Sequence, residues 1–285
     1  MELTHIATRE GRLSSFLREE MQMSAGLMNR LKWQNLLFVN GVPVHTDHAV
    51  QPGDLITVPM DEPEPEYPAE DGPLTILYED EYLLAVDKPA GMLIHPSRSR
   101  FTGTLANLVR GYYEKTGQSC AFHPLTRLDR DTYGVVLLAK NAHIHRLLQA
   151  CPVEKTYHAW VFGCPEKASG TIDAPIARLP LPSLLRTVDP AGKPSVTEYA
   201  LLETRGAVSK LALRPITGRT HQLRVHCAYM GWPILGDPQY GTADSKDCSE
   251  RFGLSGQVLC AKSLVLPHPV TGETLEIQAQ MDAKI

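Results

Sequence analysis

The run His123-Pro-Leu-Thr-Arg-Leu-Asp129-Arg-Asp-Thr-Tyr-Gly134 passes directly into Val135-Val-Leu-Leu138, an apolar stretch that reads as a buried strand. Charge is therefore held at the edge of a core. Asp129 lies between Arg127 and Arg130 in sequence, and neighbouring positive charge keeps a carboxylate ionised at neutral pH. An ionised carboxylate is a usable nucleophile. A loop carboxylate that caps a turn or joins a surface ion pair carries the same charge pattern, so these residues leave both readings open. Other chemistries fail on spacing. His143 and His145 point to different faces of one helix, and His221 and His226 are separated by roughly 140° around another, so neither pair predicts a metal site. The sequence has no nucleophile elbow, phosphate-binding loop or dinucleotide fingerprint, and no cofactor is expected.

The elements that must position Asp129 fall into two groups. The stretch Asp61-Glu-Pro-Glu-Pro-Glu-Tyr-Pro-Ala-Glu-Asp-Gly72 is acidic, proline-rich and without apolar periodicity, the composition of a linker. Upstream, in residues 1–60, Leu13, Phe16, Leu17 and Met21 share one helical face, and Ser24 can cap a second helix presenting Leu27, Met28 and Leu31. Asn40-Gly41 between Leu37-Phe-Val and Val42-Pro-Val predicts a type I′ hairpin, and Pro52-Gly-Asp leads into the strand-like Leu55-Ile-Thr-Val. Downstream, in residues 73–285, β-rich runs at Thr75–Tyr78, Tyr82–Val86, Tyr157–Phe162, Thr197–Leu202, Lys210–Leu213 and Val258–Leu266 alternate irregularly with helices. Those helices start near Leu105, after Asn141 and at His221, the last closing at Gly231, while Lys88-Pro-Ala-Gly91 reads as a turn. Scattered helices among many strands predict an α+β fold built on a mixed, mainly antiparallel sheet.

Composition bounds the function. The net charge is −4, but six of the 32 acids sit in the linker, leaving 26 acids against 28 bases elsewhere. Acidity overall therefore does not exclude a nucleic-acid partner, provided local patches neutralise phosphate. The chain has no long apolar run and no basic leader, so a cytoplasmic location without membrane contact is expected. Six scattered cysteines without a Cys-x-x-Cys pair read as reduced thiols.

Arg127-Leu-Asp129-x-x-Thr132-x-Gly134, followed by its apolar strand, resembles the signature of the RluA-like pseudouridine synthases, which modify ribosomal and transfer RNA through an RLD motif. Three further segments match that family in order. They are Asp87-Lys-Pro-Ala-Gly-Met-Leu-Ile-His-Pro96, Glu154-Lys-Thr-Tyr157, and Thr217-Gly-Arg-Thr-His-Gln-Leu-Arg-Val-His226 running on to Ile234-Leu-Gly-Asp237. Residues 1–60 similarly resemble the S4-like RNA-binding module, although they hold only five bases against six acids. A small docking or stabilising domain is the alternative there.

The resemblance implies that Asp129 is the catalytic aspartate, Tyr157 a stacking platform for the base, and Arg224 the arginine holding the Asp129 carboxylate, expected as a bidentate pair. By residue type alone, Tyr157 reads equally as a core aromatic and Arg224 as a structural ion-pair partner. The implied reaction detaches uracil from ribose C1′, turns it and rejoins it through carbon, with structured ribosomal or transfer RNA as partner and a monomer sufficing. The carboxylate could attack C1′, attack the base, or assist loss of a sugar proton. Arg127, Lys155 and Arg219 are the expected phosphate contacts. Three positions depart from the family pattern: Thr126 replaces a common histidine, Tyr133 a common serine, and Cys260 the usual histidine of Leu-His-Ala; Thr126 and Tyr133 are expected to border the site. The competing functions are a non-catalytic RNA-binding or ribosome-assembly factor and a carboxylate-pair glycoside hydrolase. The hydrolase needs a second acid, for which Asp131 is the candidate near in sequence.

Overall fold

The computed structural model describes residues 2–60 and 65–285. Its centre is a ten-stranded sheet in the order Ser169–Asp173, Val196–Arg205, Val208–Pro215, Glu154–Phe162, Leu259–Pro267, Tyr133–Ala139, Leu83–Lys88, Ile76–Glu79. The other two of the ten lie off this path, Thr274–Gln278 on Leu259–Pro267 and His123–Pro124 on Tyr133–Ala139. Every pairing is antiparallel except Tyr133–Ala139 against Leu259–Pro267. The fold is thus α+β on a mixed, mainly antiparallel sheet.

The one parallel pairing explains how distant motifs meet. Ala261 pairs with Gly134 on one side and with Tyr157 on the other, where the register shifts at a bulge between Thr156 and Tyr157. A Cβ at Gly134 would lie 2.3 Å from the Ala261 carbonyl oxygen, and Gly134 has φ +104°. Only glycine fits both the approach and the backbone. The Asp129 loop, which ends in Gly134, and Tyr157 are thereby delivered to the same end of the sheet.

The N-terminal residues form a separate four-stranded sheet. Glu2–Ile6, for which the sequence carried no evident strand signal, pairs with Leu55–Pro59 and completes it. The Asn40-Gly41 turn has φ +52° and +77°, the two positive angles that a type I′ turn requires. Ser24 Oγ accepts from Leu27 N at 3.2 Å and caps the helix Ala25–Trp33. Leu13, Phe16, Leu17, Leu31 and Ile56 give this unit its own apolar core. It touches the larger unit through Tyr82, just before the strand Leu83–Lys88, and through Arg146 on the helix Ala142–Ala150, whose guanidinium donates to the Gln22 carbonyl.

Of the acidic linker expected at 61–72, residues 61–64 lie outside the described residues. Residues 65–72 form no helix or strand and are tied along the helix Leu105–Lys115. Arg110 donates to the Pro65 carbonyl at 2.9 Å, Asn107 to that of Pro68 at 2.8 Å, and Glu70 accepts from Gly103 N at 2.9 Å. Gly111 sits mid-helix because a Cβ there would lie 2.1 Å from the Glu70 carbonyl oxygen. All six cysteines are free. Among the described residues no helix is long and apolar enough to cross a membrane, and no group of His, Cys, Asp or Glu is placed to hold a metal.

Candidate active site

A cleft of about 640 Å³ opens at the ends of the central strands, within the size range of small-molecule sites. All six expected site residues line it: Asp129, Tyr157, Arg224, Arg127, Lys155 and Arg219. Among the lining residues Asp129 is the sole carboxylate, set against four bases. A chain of net charge −4 therefore presents a locally basic cleft, which suits an anionic ligand.

Asp129 begins a turn closed by Thr132 N donating to the Asp129 carbonyl at 3.2 Å. Leu128 anchors the loop in the core, and Gln257 Nε2 donates to the buried Thr132 Oγ1 at 2.9 Å. From the opposite side Lys88, fully buried, donates its ammonium to the carbonyls of Pro89, Met92 and Arg130 at 2.8–2.9 Å. Burial pulls Lys88 down to about 8, against the opposing pull of Asp131 and Asp129. The segment 88–91 is a turn as expected, but its lysine also clamps the Asp129 loop.

Arg224 stands in the first turn of the helix Gln222–Tyr229. Its Nη1 donates to Asp129 Oδ2 at 2.8 Å. The bidentate partner is a different carboxylate, however. Nε and Nη2 donate to Asp237 Oδ2 and Oδ1 at 2.7 and 2.9 Å, and Nη2 also reaches Gln239 Oε1 at 2.7 Å. The expected bidentate grip on Asp129 is corrected to a single bond, because the Nε–Nη2 edge is taken by the fully buried Asp237 side chain and the remaining Nη2 hydrogen goes to Gln239. The positive charge beside Asp129 also comes from a new source: Arg130 is paired bidentately with Asp131 at 2.9 Å, and Arg127 is exposed. Burial would lower the Arg224 pKa, but its bonds to Asp237 and Asp129 raise it overall.

Tyr157 is half-buried between two apolar clusters. Burial, with the Asp129 charge second, lifts its phenol to about 12, so it stays protonated at neutral pH. Lys155 lies two residues earlier on the same strand, hence on the same face; burial draws its ammonium below the ordinary lysine range. Arg219 is exposed, with Nε donating to the Pro194 carbonyl at 3.2 Å. Gln222 holds the adjoining loop: its Oε1 accepts from Thr217 Oγ1 at 2.8 Å and Arg219 N at 3.0 Å, while Nε2 donates to the Val196 carbonyl at 2.9 Å.

Of the three departures, Thr126 does line the cleft, its buried hydroxyl without a protein partner among the described residues. Tyr133 does not. It packs with the fully buried Cys260 in the core on the other side of the strand, which corrects the expectation that it borders the site. Tyr133 and Cys260 are register partners on adjacent strands. Asp131 lies outside the lining, committed to Arg130, so the second acid needed by a hydrolase is missing from the described cleft. The residues that sequence reasoning missed are Lys88, His221, Asp237, Gln239 and Tyr240. Lys88, His221 and Asp237 stood within the segments matched to the family, but none was given a role.

Residues 82–229 match the family model for RNA pseudouridylate synthase. The chain is 35% identical over 269 residues to YjbO of Bacillus subtilis (strain 168), named an uncharacterized RNA pseudouridine synthase, covering 92% of this chain and 93% of that one. It is also 35% identical over 269 residues to the ribosomal large subunit pseudouridine synthase D of Pasteurella multocida (strain Pm70), covering 89% and 83%. Among solved structures, human RNA pseudouridylate synthase domain containing 1 superposes with a TM-score of 0.61 at 28% identity, covering 75% of this chain and 86% of that chain. The chain belongs to the RNA pseudouridine synthase family. It is an isomerase acting on RNA.

Proposed function

We propose that this enzyme converts uridine to pseudouridine in large-subunit ribosomal RNA, using Asp129 as the nucleophile. The observation that carries the reading is that Asp129, bonded to Arg224, is the sole carboxylate among the described residues lining a basic cleft that Tyr157 also lines. The ribosomal target is supported by the name of the Pasteurella relative. The uridine leaves its RNA stack and enters the cleft, where the Tyr157 ring stacks on the uracil and the Asp129 carboxylate drives cleavage of the C1′–N1 bond. The freed uracil turns, C5 bonds to C1′, the C5 proton departs to solvent, and N1 gains a proton, so the product is an isomer of the substrate. Arg224 fixes one oxygen of Asp129. Lys88 positions the loop through backbone carbonyls without touching substrate. Arg127, Lys155 and Arg219 bind phosphates flanking the flipped nucleotide.

Residues 2–60 form, in this reading, an S4-like unit that engages RNA beyond the cleft, joined through the acidic segment 61–72 to a catalytic domain at 73–285. The exposed Arg30, Lys32 and Trp33 on one helix support it by offering both charge and a stacking face. Unchanged RNA affinity after replacing all three with alanine would count against it.

The deciding experiment is tritium release from RNA labelled at uridine C5, with ribosomal and transfer RNA as separate substrates and Asp129→Asn as control. Release from large-subunit RNA by the wild type alone supports the full proposal. Release from transfer RNA only moves the substrate and leaves the chemistry, whereas free uracil would indicate a hydrolase. Replacing Arg127, Lys155 or Arg219 with alanine should lower the slope of log affinity against log salt by about 0.7–0.9 for each phosphate no longer neutralised.

A further inference from the structure

His221 is the N-terminal cap residue of the helix Gln222–Tyr229, yet its side chain makes no capping bond, and its backbone sits at φ +59°. Asparagine or glycine tolerates that left-handed conformation better than histidine does. Something other than helix capping therefore calls for an imidazole here. The ring is largely buried, at 17% side-chain exposure, and its Nε2 lies 3.8 Å from Asp129 Oδ1. Its Nδ1 lies 2.8 Å from Tyr240 Oη. Tyr240 Oη accepts from Arg186 N at 3.0 Å, and Nδ1 is the acceptor within reach of its own proton, which assigns that proton to Nδ1. With Nδ1 accepting, a neutral imidazole carries its proton on Nε2, facing Asp129. The Tyr240 ring is fixed in turn, lying beneath the Arg224 guanidinium at 5.0 Å and edge-on to His221 at 5.7 Å.

The geometry points to His221 as a positioning residue for the nucleophile, its Nε2–H aimed at Asp129 Oδ1 by a relay that starts at the Arg186 backbone and passes through Tyr240. This rests on Asp129 being the nucleophile. Arg224 holds Oδ2 by a single bond, which leaves the carboxylate free to rotate about its Cβ–Cγ axis; a second donor on Oδ1 fixes its plane. The 3.8 Å separation is longer than a hydrogen bond and closes by a small rotation of Asp129 when uridine fills the cleft, as donor–acceptor pairs in empty sites commonly do. The groups facing the ring are Asp129 and Asp237, Arg224 and Arg186, and Tyr240. Burial lowers the His221 pKa, Asp129 and Asp237 oppose this and the two arginines add to it, consistent with a neutral ring.

The test is single-turnover tritium release by the full-length protein on C5-labelled RNA, comparing His221→Gln, His221→Asn and Tyr240→Phe. The glutamine amide reaches the Nε2 position and should keep activity within about threefold. Asparagine suits the backbone but ends level with Nδ1, and should lose roughly tenfold to a hundredfold in the rate constant at unchanged RNA affinity. Tyr240→Phe should fall in the same direction, because the tautomer is no longer set. A merely structural role predicts the reverse order, with asparagine at least as active as glutamine. Equal losses in both His221 variants, or a loss confined to affinity, also overturn the inference. If Asp129→Asn retains wild-type activity, the parent reading falls, and this inference with it, whatever the His221 variants do.

Discussion

Asp237→Asn tests the proposed division between a holding carboxylate and a reacting one. Asp237 takes two of the four hydrogen bonds donated by Arg224 and has no side-chain exposure, whereas Asp129 takes one and is 30% exposed. In Asp237→Asn one carboxylate oxygen becomes an NH2 group. If Oδ1 keeps its bonds from the Gln239 and Tyr240 amides, that NH2 faces Arg224 Nε–H, donor against donor. A buried arginine left without its charge partner costs about 3–5 kcal/mol. Asp129→Asn removes a single partly exposed charge-assisted bond and should cost about 1 kcal/mol or less. Activity should show the opposite order: Asp129→Asn abolishes tritium release, while Asp237→Asn lowers it about tenfold to a hundredfold as Arg224 loses its fixed pose. Urea unfolding of both variants, alongside the release assay, checks the pair of orders. Asp129→Asn proving the more destabilising would refute the assignment of Asp237 as the structural anchor.

Three other perturbations test the scaffold. Gly134→Ala confronts both a φ of +104° and a carbonyl 2.3 Å from the new Cβ, so it should lose at least about 3 kcal/mol in urea unfolding and most activity. Lys88→Met leaves three carbonyls without their donor while relieving a buried charge; the offset predicts a stability loss of about 1–3 kcal/mol, with tritium release falling more than tenfold. Asp282, bonded to Lys210 and His158, is held at about 2 against an ordinary 3.8; burial raises it and these bonds outweigh that. A depressed carboxylate stabilises the fold above its unfolded pKa and loses that contribution as pH falls through the folded value. Asp282→Asn should therefore cost about 2 kcal/mol at pH 7, with the difference from wild type vanishing between about pH 4 and pH 2.

Much of this was legible in the sequence where a local rule operates. The Asn40-Gly41 hairpin, the Ser24 and Asn141 caps and the strand after Asp129 follow from turn chemistry, capping and hydrophobic pattern within a few residues. The strand Glu2–Ile6 escaped because only Leu3 and part of its length are buried. The hairpin Ile176–Arg178 with Arg186–Val188 is too short to show a period. Lys88 escaped because a buried lysine satisfied by three backbone carbonyls leaves no acidic partner in the sequence to betray it.

The bidentate expectation for Arg224 went to the wrong carboxylate for a physical reason that also clarifies the site. Arg224 gives its Nε–Nη2 edge to the carboxylate with no exposure, since a buried charge is tolerable only when fully hydrogen-bonded, and divides its other edge between Asp129 and Gln239. Asp129, 30% exposed, takes only one of the Arg224 bonds and so keeps Oδ1 free of the guanidinium. The family resemblance joined Arg224 to Asp129 and gave no role to Asp237. Which aspartate is buried depends on the turn that carries Ile234–Asp237 back beneath the helix, and that is a property of the packed chain.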